Sequence, residues 1–497
     1  MKGSWLDRSI SYVSPQAGAR RAKARLAERT IQEISARKYD GASVGRRTDN
    51  WKTTGSSANA EVGPAISRLR NRCRDLGRNN TYANRAIKVL DANIIGTGII
   101  PQAKAVTGSS AKNADSISHL WSEWGETLAC DADGLHNFYG LQSLAVRTIM
   151  EGGECLIRRY RRPKSFGLPV PLQYQVLEGD FIDTTKEGLL ANGNFIVQGV
   201  EFDKYGRRVA YWLFEVHPGD TAILNRKTFV SNRISADDIL HLFEVGRPGQ
   251  VRGVPRAASC VVTLRDFDEY QDAQLVKQKI AACFTAFIHD IQAPEVEVSS
   301  AEDAPEQMEP GAIENLPSGK TITFPSPPQI MGYKEFSDVS LHAVAMGYGV
   351  TYEALTGDLS GVNFSSGRMG WIEFNRQIEQ TRWLTLIPRL CQPTYNWFRE
   401  AVTLMGYDGA AIATTWTPPR REMIDPVKET KATAESIRSG LTTLSEAIRQ
   451  QGNDPDAQFK EMKSDNDKLD ALGLIIDTDP RQPKKKEQQS ATGDLEE

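Results

Sequence analysis

Few side chains in this sequence stand at the spacings that catalysis or metal binding needs. The histidines are His119, His136, His217, His241, His289 and His342; none forms an H-E-x-x-H pair, and none stands at metal-ligand spacing from a cysteine. Ser318-Gly319-Lys320-Thr321 ends like a phosphate-binding loop, but Glu314 occupies the place of the first glycine and would repel phosphate. The residues that follow, Thr321 to Pro325, read as extended chain, whereas such a loop opens a helix. Ser109-Ser110-Ala111-Lys112 matches a bare S-x-x-K pattern without its companion motifs. Asn363-Phe364-Ser365-Ser366-Gly367 approaches a G-x-S-x-G elbow, yet begins with Asn363 and has no strand leading into it. Glu178, Asp180 and Asp183 place carboxylates close together, and they read as turn residues after a strand. The expectation is therefore a protein with no catalytic residues, no metal site and no cofactor.

A chain of 497 residues is too long for one compact core, so several domains or one elongated subunit are expected. Apolar residues at 40% and charged residues at 25% are ordinary for a folded protein, and no segment approaches the roughly 20 apolar residues of a membrane span. The opening Met1-Lys2-Gly3-Ser4-Trp5-Leu6-Asp7 lacks the apolar run of a secretory signal, which leads to an expectation of cytoplasmic synthesis and no membrane role. Cys73, Cys130, Cys155, Cys260, Cys283 and Cys391 are spread with no close pair, against both a disulfide framework and a thiolate zinc site. They read as small buried apolar side chains. The net charge of -3 carries no message about partners, but its distribution does. Lys and Arg outnumber acids in the first fifty residues and again from Arg68 to Lys88. Between Lys279 and Lys320 there is no Lys or Arg, while Asp290, Glu295, Glu297, Glu302, Asp303, Glu306, Glu309 and Glu314 occur.

The apolar periods predict the elements that must carry these charges. A helix is expected from Gly63-Pro64 to Gly77, with Ile66, Leu69, Cys73 and Leu76 on one side, and a second from Asn80 to Gly96. Further helices read from Ser116 to Leu128 and from Phe138 to Met150. The period then changes: Glu154 to Arg159, Leu172 to Leu177, Phe195 to Phe202 and Arg207 to Val216 read as strands, the last two joined as a hairpin through Asp203 to Gly206. Pro255 opens a helical pattern that reaches Ile288, some 34 residues or about 50 Å. After the acidic segment and a short extended run at Lys320 to Phe324, helical pattern resumes near Glu335 and stops at Gly347-Tyr348-Gly349. A small polar loop over Gly357 to Gly367 precedes a long helix from Arg368 toward Leu404, with a kink or break predicted at Pro388 and Pro393. Three short helices follow, punctuated by Asp425-Pro426, Gly440, Thr443 with Glu446, Gly452 and Asp454-Pro455.

Several of these segments resemble lambda-type phage portal proteins. The run Leu69-Arg70-Asn71-Arg72-Cys73-Arg74-Asp75-Leu76-Gly77-Arg78-Asn79-Asn80-Thr81-Tyr82-Ala83 is similar to the N-terminal signature of that family, and Ile95-Gly96-Thr97-Gly98-Ile99 follows it. Val176 to Asp180, Gly349 to Glu353 with Leu355 to Asp358, Asn363 to Ser366 before Arg368, and Asp425 to Glu429 with Gly440 to Thr443 continue the match in chain order over about residues 39 to 475. Phe364 departs from the tyrosine that the family often carries, and keeps an aromatic ring there.

The resemblance implies an α+β, mainly α subunit with wing, stem, clip and crown, assembled as a dodecameric ring. Residues 1–60 would be a basic mobile arm, 61–253 the wing, 254–288 the first stem helix, 289–332 the clip, and 333–350 the second stem helix. Residues 351–368 would be a tunnel loop, 369–419 the kinked helix and wing return, 420–478 the crown, and 479–497 a disordered tail. The implied partners are further copies of the chain, double-stranded DNA passing without sequence specificity, the terminase large subunit, head-tail connector proteins, and major capsid and scaffold proteins. The implied location is the capsid portal vertex of the virion, after assembly in the bacterial cytoplasm. Duplex passing through a ring must not be held, because each neutralised phosphate adds affinity and symmetry repeats the contact. The resemblance makes Asp358, Asn363, Phe364, Ser365, Ser366 and Arg368, in and beside the tunnel loop, the expected channel residues. Glu295, Glu297, Glu302, Asp303, Glu306, Glu309 and Glu314 are the expected clip and docking residues. The competing expectations are another capsid-associated scaffold, a DNA-binding structural protein with a basic recognition helix, and a hydrolase with a convergent catalytic set.

Overall fold

The computed structural model describes residues 53–106, 111–220, 230–282, 332–420 and 422–476, the backbone of 287–290 and 320–323, and isolated positions elsewhere. The chain divides into two units, Met1–Ser57 and Ala58–Glu497, and every helix and strand from α1 onward belongs to the second. The expected arm and the expected tail fall almost wholly outside the described residues.

Helix α1 (Ala58–Asn79) starts earlier than its proline signals and runs through Gly77, which is buried within it. Pro64 costs little so close to the helix start, and the buried faces of Ile66, Arg70, Cys73 and Leu76 hold the helix past the glycine. The chain turns at Asn80, whose side chain accepts from Ala83 N at 2.8 Å and caps α2 (Thr81–Ile94). Strand β1 (Ile100–Ala105), α3 (Ala111–Gly125) and α4 (Phe138–Gly152) follow. Next comes β2 (Glu154–Arg161), then β3 (Leu172–Glu178), two short strands β4 (Gly188–Leu189) and β5 (Phe195–Val197), and β6 (Val200–Phe202). The single strand expected over Phe195 to Phe202 is thus two, because Gln198 (φ 50°) and Gly199 (φ 80°) make a tight hairpin turn and Val197 pairs with Val200. The hairpin at Asp203 to Gly206 leads to β7 (Arg208–Phe214), with β8 (Ser231–Ser235) and β9 (Ile239–Phe243) beyond.

Two antiparallel sheets result, one of order β3-β2-β9 and one of order β4-β5-β6-β7-β8. Between them lies a small core of Leu156, Leu177, Ile182, Val200, Tyr211, Leu213 and Ile239. The larger core gathers aromatic rings: Trp121 packs edge-on to Phe138 (5.0 Å between centroids) and to Phe398 (5.0 Å), and Trp124 packs edge-on to Tyr174 (5.3 Å).

Helix α5 (Val261–Ala282) is shorter than the sequence period promised. Phe287–Asp290 is strand β10, paired antiparallel with β11 (Lys320–Thr323), so the expected stem over 254–288 ends before it. The pairing sets Ile288 opposite Ile322 and Phe287 opposite Thr323, side chains that favour a pleated surface. The ends of the acidic segment therefore leave and return side by side, and Lys320 and Thr321 stand in a strand. The acids from Glu295 to Glu314 lie outside the described residues.

Helix α6 (Tyr333–Tyr348) packs back along α5, with Tyr270 stacked on Tyr333 at 6.0 Å and against Phe336 at 4.4 Å. After the short α7 (Tyr352–Thr356), α8 (Phe364–Thr381) continues into a ten-residue π-helical segment, Arg382–Cys391, and then α9 (Gln392–Leu404). The break expected at Pro388 takes this form: a wider turn carries the helix past a residue that lacks an N–H. Pro393 follows directly, at the junction where the π segment passes into α9 without leaving helical geometry (Cys391 φ −65°, ψ −52°). Strand β12 (Ile412–Thr417) returns to pair with β1. Helices α10 (Pro426–Arg438), α11 (Leu444–Gln450) and α12 (Pro455–Leu472) close the fold, capped by Asp425, Thr443 and Asp454 as expected.

One interaction ties these parts together. Glu154, fully buried at the start of β2, accepts from Arg70 of α1 at 2.5 Å, from Arg252 Nε at 2.9 Å, from Gly253 N at 2.9 Å and from His241 Nε2 at 3.0 Å. Arg252 also donates to the carbonyls of Gln198 (3.1 Å) and Gly179 (2.9 Å). His241 Nδ1 lies 3.1 Å from Arg208, which can only donate, so the network assigns the His241 proton to Nε2. Burial alone would raise the Glu154 pKa, but the Arg252 charge and the hydrogen bonds hold it well below the usual range. Burial lowers His241 from 6.5 to about 4.

Glu154→Gln leaves two buried guanidiniums short of their counter-charge, and is expected to lose about 3–5 kcal/mol of unfolding free energy in urea titrations. An unchanged midpoint would remove the cluster from its central place. Acid should act in the same direction. Between pH 6.5 and about 4 the unfolded chain protonates His241 while the folded chain does not, so stability falls as pH falls through that window. The depressed Glu154 adds a further loss below its ordinary pKa, and His241→Gln should flatten the upper part of the curve.

Candidate functional site

The residues expected to face a channel occur where α6 gives way to α8. Gly349 ends α6 at φ 72°, a left-handed turn that favours glycine. Thr351 caps α7 by accepting from Ala354 N, Leu355 is buried, and Arg85 Nε donates to the Ala354 carbonyl at 3.1 Å. Tyr352 stacks on His342 at 4.1 Å with an 8° interplanar angle, and its hydroxyl donates to Asp338 at 3.2 Å. The near side of the loop is therefore bolted to α2 and α6.

From Gly357 (φ 77°) the chain is open until Asn363. Asp358 accepts from Ser360 N at 2.9 Å, and its hydrogen bonds to Ser360 hold its carboxyl below the ordinary value. The far side is a reciprocal cap. Asn363 Oδ1 accepts from Ser366 N at 2.8 Å while Ser366 Oγ accepts from Asn363 N at 3.1 Å. This corrects the expected boundary: Phe364, Ser365, Ser366 and Arg368 form the first turns of α8, and the loop proper is Gly357–Asn363. The cap won because it satisfies helix-end donors that the polar composition of the segment had disguised as loop. Leu359, Phe364 and Met369 are exposed at 67%, 60% and 74%. No Lys or Arg occurs from Gly357 to Gly367.

Arg368 instead lines a groove of about 1260 Å³ between α8 with its π segment and the C-terminal helices, together with Trp371, Trp383, Trp416, Ile424 and Arg449. The structure thus separates the expected residues: Asp358 and Asn363 to Ser366 stay together, and Arg368 joins another surface. Two features escaped the sequence reading. One is the Glu154 cluster, for which the inward arginines at Arg70 and Arg74 were the available signal. The other is the meeting of His217 with Glu178 and Asp180, whose ligand atoms lie within 4.8 Å of one another. Arg74 already reaches Asp180 at 2.6 Å and Glu178 at 2.9 Å, and Arg70 reaches Asp180 at 3.0 Å. Two guanidiniums neutralise the charge that a cation would need, and the carboxylates serve the ion-pair network. Burial pushes the Cys73 and Cys260 thiols up to about 11, away from thiolate chemistry.

The chain is similar to other proteins over most of its length. The model of the family described as phage portal protein, lambda family, matches residues 44–382. A probable portal protein of Halomonas phage phiHAP-1 is 28% identical over 431 residues, covering 82% of this chain and 81% of that one. Portal protein B of Escherichia phage lambda is 22% identical, covering 90% and 92%. Among solved structures, a chain in the neck of a native gene transfer agent particle, computed with C12 symmetry, aligns with a TM-score of 0.47 at 17% identity, over 80% of this chain and all of that one. With a family match across more than half its residues, the chain belongs to the lambda family of phage portal proteins, structural components of the virion.

Proposed function

We propose that the chain is one protomer of a dodecameric ring at a single capsid vertex, through which double-stranded DNA is packaged and later ejected. The observation that carries the reading, beyond family membership, is a helix pair with apolar residues on its open side. On α6, Val339 and Met346 are exposed at 71% and 77%, seven residues apart and so on one face of the helix. On α5, Val261, Leu264 and Phe267 face the core while Val262, Leu275 and Val276 are open to solvent. A helix apolar on two sides has a second partner, and a heterologous contact between identical chains closes into a ring when its rotation divides the circle.

The C-terminal helices fit the same reading. Among the described residues α10 buries none of its side chains and α12 only Pro455, while Val427, Leu441 and Leu472 are exposed at 79%, 82% and 71%. These helices lack a core of their own and gain one by packing between copies. The acidic segment from Glu295 to Glu314 is the proposed rim and docking surface for the terminase large subunit during filling and for head-tail connector proteins afterwards. Assembly takes place in the bacterial cytoplasm with capsid and scaffold proteins.

Negative-stain microscopy of the purified protein should show rings with a central hole, and Val339→Asp with Met346→Asp should shift sedimentation to smaller species. Monomers of the unaltered protein would overturn the reading. Replacing Glu295, Glu297 and Glu302 with Lys should slow DNA packaging several-fold, since each new cation adds a phosphate contact that every subunit repeats. Packaging at the original rate would rule out an acidic lining there.

A further inference from the structure

Strand β2 runs out into Arg158-Arg159-Tyr160-Arg161-Arg162-Pro163-Lys164-Ser165-Phe166, five arginines and lysines within seven residues. Strand alternation divides them into two sets. Arg159 and Arg161 share one face and are neutralised there: Arg159 reaches Asp238 and Glu400 at 2.6 Å each, and Arg161 reaches Asp238 at 2.9 Å. Arg158, Tyr160 and Arg162 share the other. The guanidiniums of Arg158 and Arg162 each lie 4.7 Å from the centroid of the Tyr160 ring, and Arg162 also lies 5.3 Å from that of Phe166. The result is a ladder of arginine, tyrosine, arginine and phenylalanine, with Lys164 exposed beside it.

Among the described residues neither Arg158 nor Arg162 forms an ion pair. Arg162 Nε donates to the neutral Gln173 at 2.9 Å, and the Tyr160 hydroxyl donates to Gln175 at 2.9 Å. Gln175 in turn donates to Asp133 at 3.1 Å, and Gln173 to the Asp131 carbonyl at 2.9 Å. Concentrating cations without counter-charge costs energy that stacking on the rings only partly offsets. Where the same strand needed neutral arginines, on its other face, it has the carboxylates to make them.

We propose that this face of the wing binds the phosphate backbone of DNA, independently of ring closure. Stacking holds both guanidiniums in place, so little side-chain freedom is lost when their remaining N–H groups meet phosphate oxygens. The tyrosine ring already carries two guanidiniums and the glutamines are tied to their own partners, which leaves charge and donors on offer and nothing aimed at base edges. The contact is therefore blind to sequence. A grip of this kind would oppose a moving duplex, so the surface belongs to DNA that is held and not to DNA in transit.

Fluorescence anisotropy of the full-length protein with a labelled duplex of random sequence, across a salt series, tests this. Arg158→Gln with Arg162→Gln should weaken binding about tenfold or more and lower the slope of log affinity against log salt by about 1 for each arginine removed. Lys164→Glu, which lies outside the stack, reads the same surface should the double variant not fold, and should weaken binding in the same direction. Unchanged affinity and slope in folded variants would overturn the proposal. So would variants that lose binding to poly-glutamate while keeping DNA binding, a result that would reassign the face to an acidic protein.

Discussion

A carboxylate sealed from water must be surrounded by cations and donors or it will not stay charged, and that requirement organises this subunit. Glu154 draws Arg70 from the first helix, Arg252 and the Gly253 amide from the entrance to α5, and His241 from the neighbouring strand. Each donor arrives from a different part of the chain, so the charge fixes where α1 and the β3-β2-β9 sheet meet the entrance to α5. Gly179 makes room for the carboxylate, and Gly253 lets its own segment approach the start of β2. A Cβ at Gly179 would lie 2.3 Å from Glu154 Oε1, and one at Gly253 would lie 2.0 Å from the Gly153 carbonyl. A buried ion pair is weak evidence for stability in itself, but a network reaching three segments specifies one arrangement of them.

The same logic separates the arginines of this chain into two populations. The stretch from Arg68 to Lys88 looks uniformly basic in sequence. In the fold Arg70 is buried on Glu154 and Asp180, and Arg74 is half-buried on Asp180 and Glu178, while Arg68, Arg72 and Arg78 remain on the solvent face of α1. Helical period decides which is which, since 70 and 74 share a face with Ile66 and Cys73. On β2 the strand period makes the corresponding division, and there the outward set has aromatic rings beneath it.

Local signals survived folding wherever a side chain acts on its own backbone. The helix starts at Asn80, Asp425, Thr443 and Asp454 and the turn at Asp203 were legible because a cap or turn needs only residues within four positions. Elements whose fate depends on distant partners were not. Phe287 and Ile288 continue the helical period of α5 in sequence, yet pair with Thr323 and Ile322 more than thirty residues on. Phe364 to Ser366 read as loop because serine and asparagine favour turns, and the reciprocal cap that makes them helix uses the same hydrogen-bonding capacity. Of the expected channel residues, Asp358 and Asn363 stand near the two ends of the loop, while Arg368, read as the first residue of the helix, follows four residues of extra helix and lines the groove. His217 could not be placed from sequence at all, since its neighbours Glu178 and Asp180 reach it only through the two-sheet packing.

The π segment bears on how the loop is held. A proline in the middle of a long helix removes one hydrogen bond and crowds the preceding turn, and a sharp break there would free the loop-bearing half, α8, from the half that packs in the core. Instead Arg382 to Cys391 widens by one residue per hydrogen bond, and Arg382 anchors the segment by donating to the carbonyls of Ile94 and Asn93 at 2.8 Å each. Arg389 does the same to Phe243 and His241 at 2.8 and 3.0 Å. His241 is itself a member of the Glu154 cluster. A chain of direct contacts therefore runs from the buried carboxylate through His241 and Arg389 to the helix whose first turn carries Asn363 and Phe364. The loop, which has no Lys or Arg, is thus held at both ends by such contacts; in the proposed ring it would offer a duplex a firm surface with little attraction for phosphate.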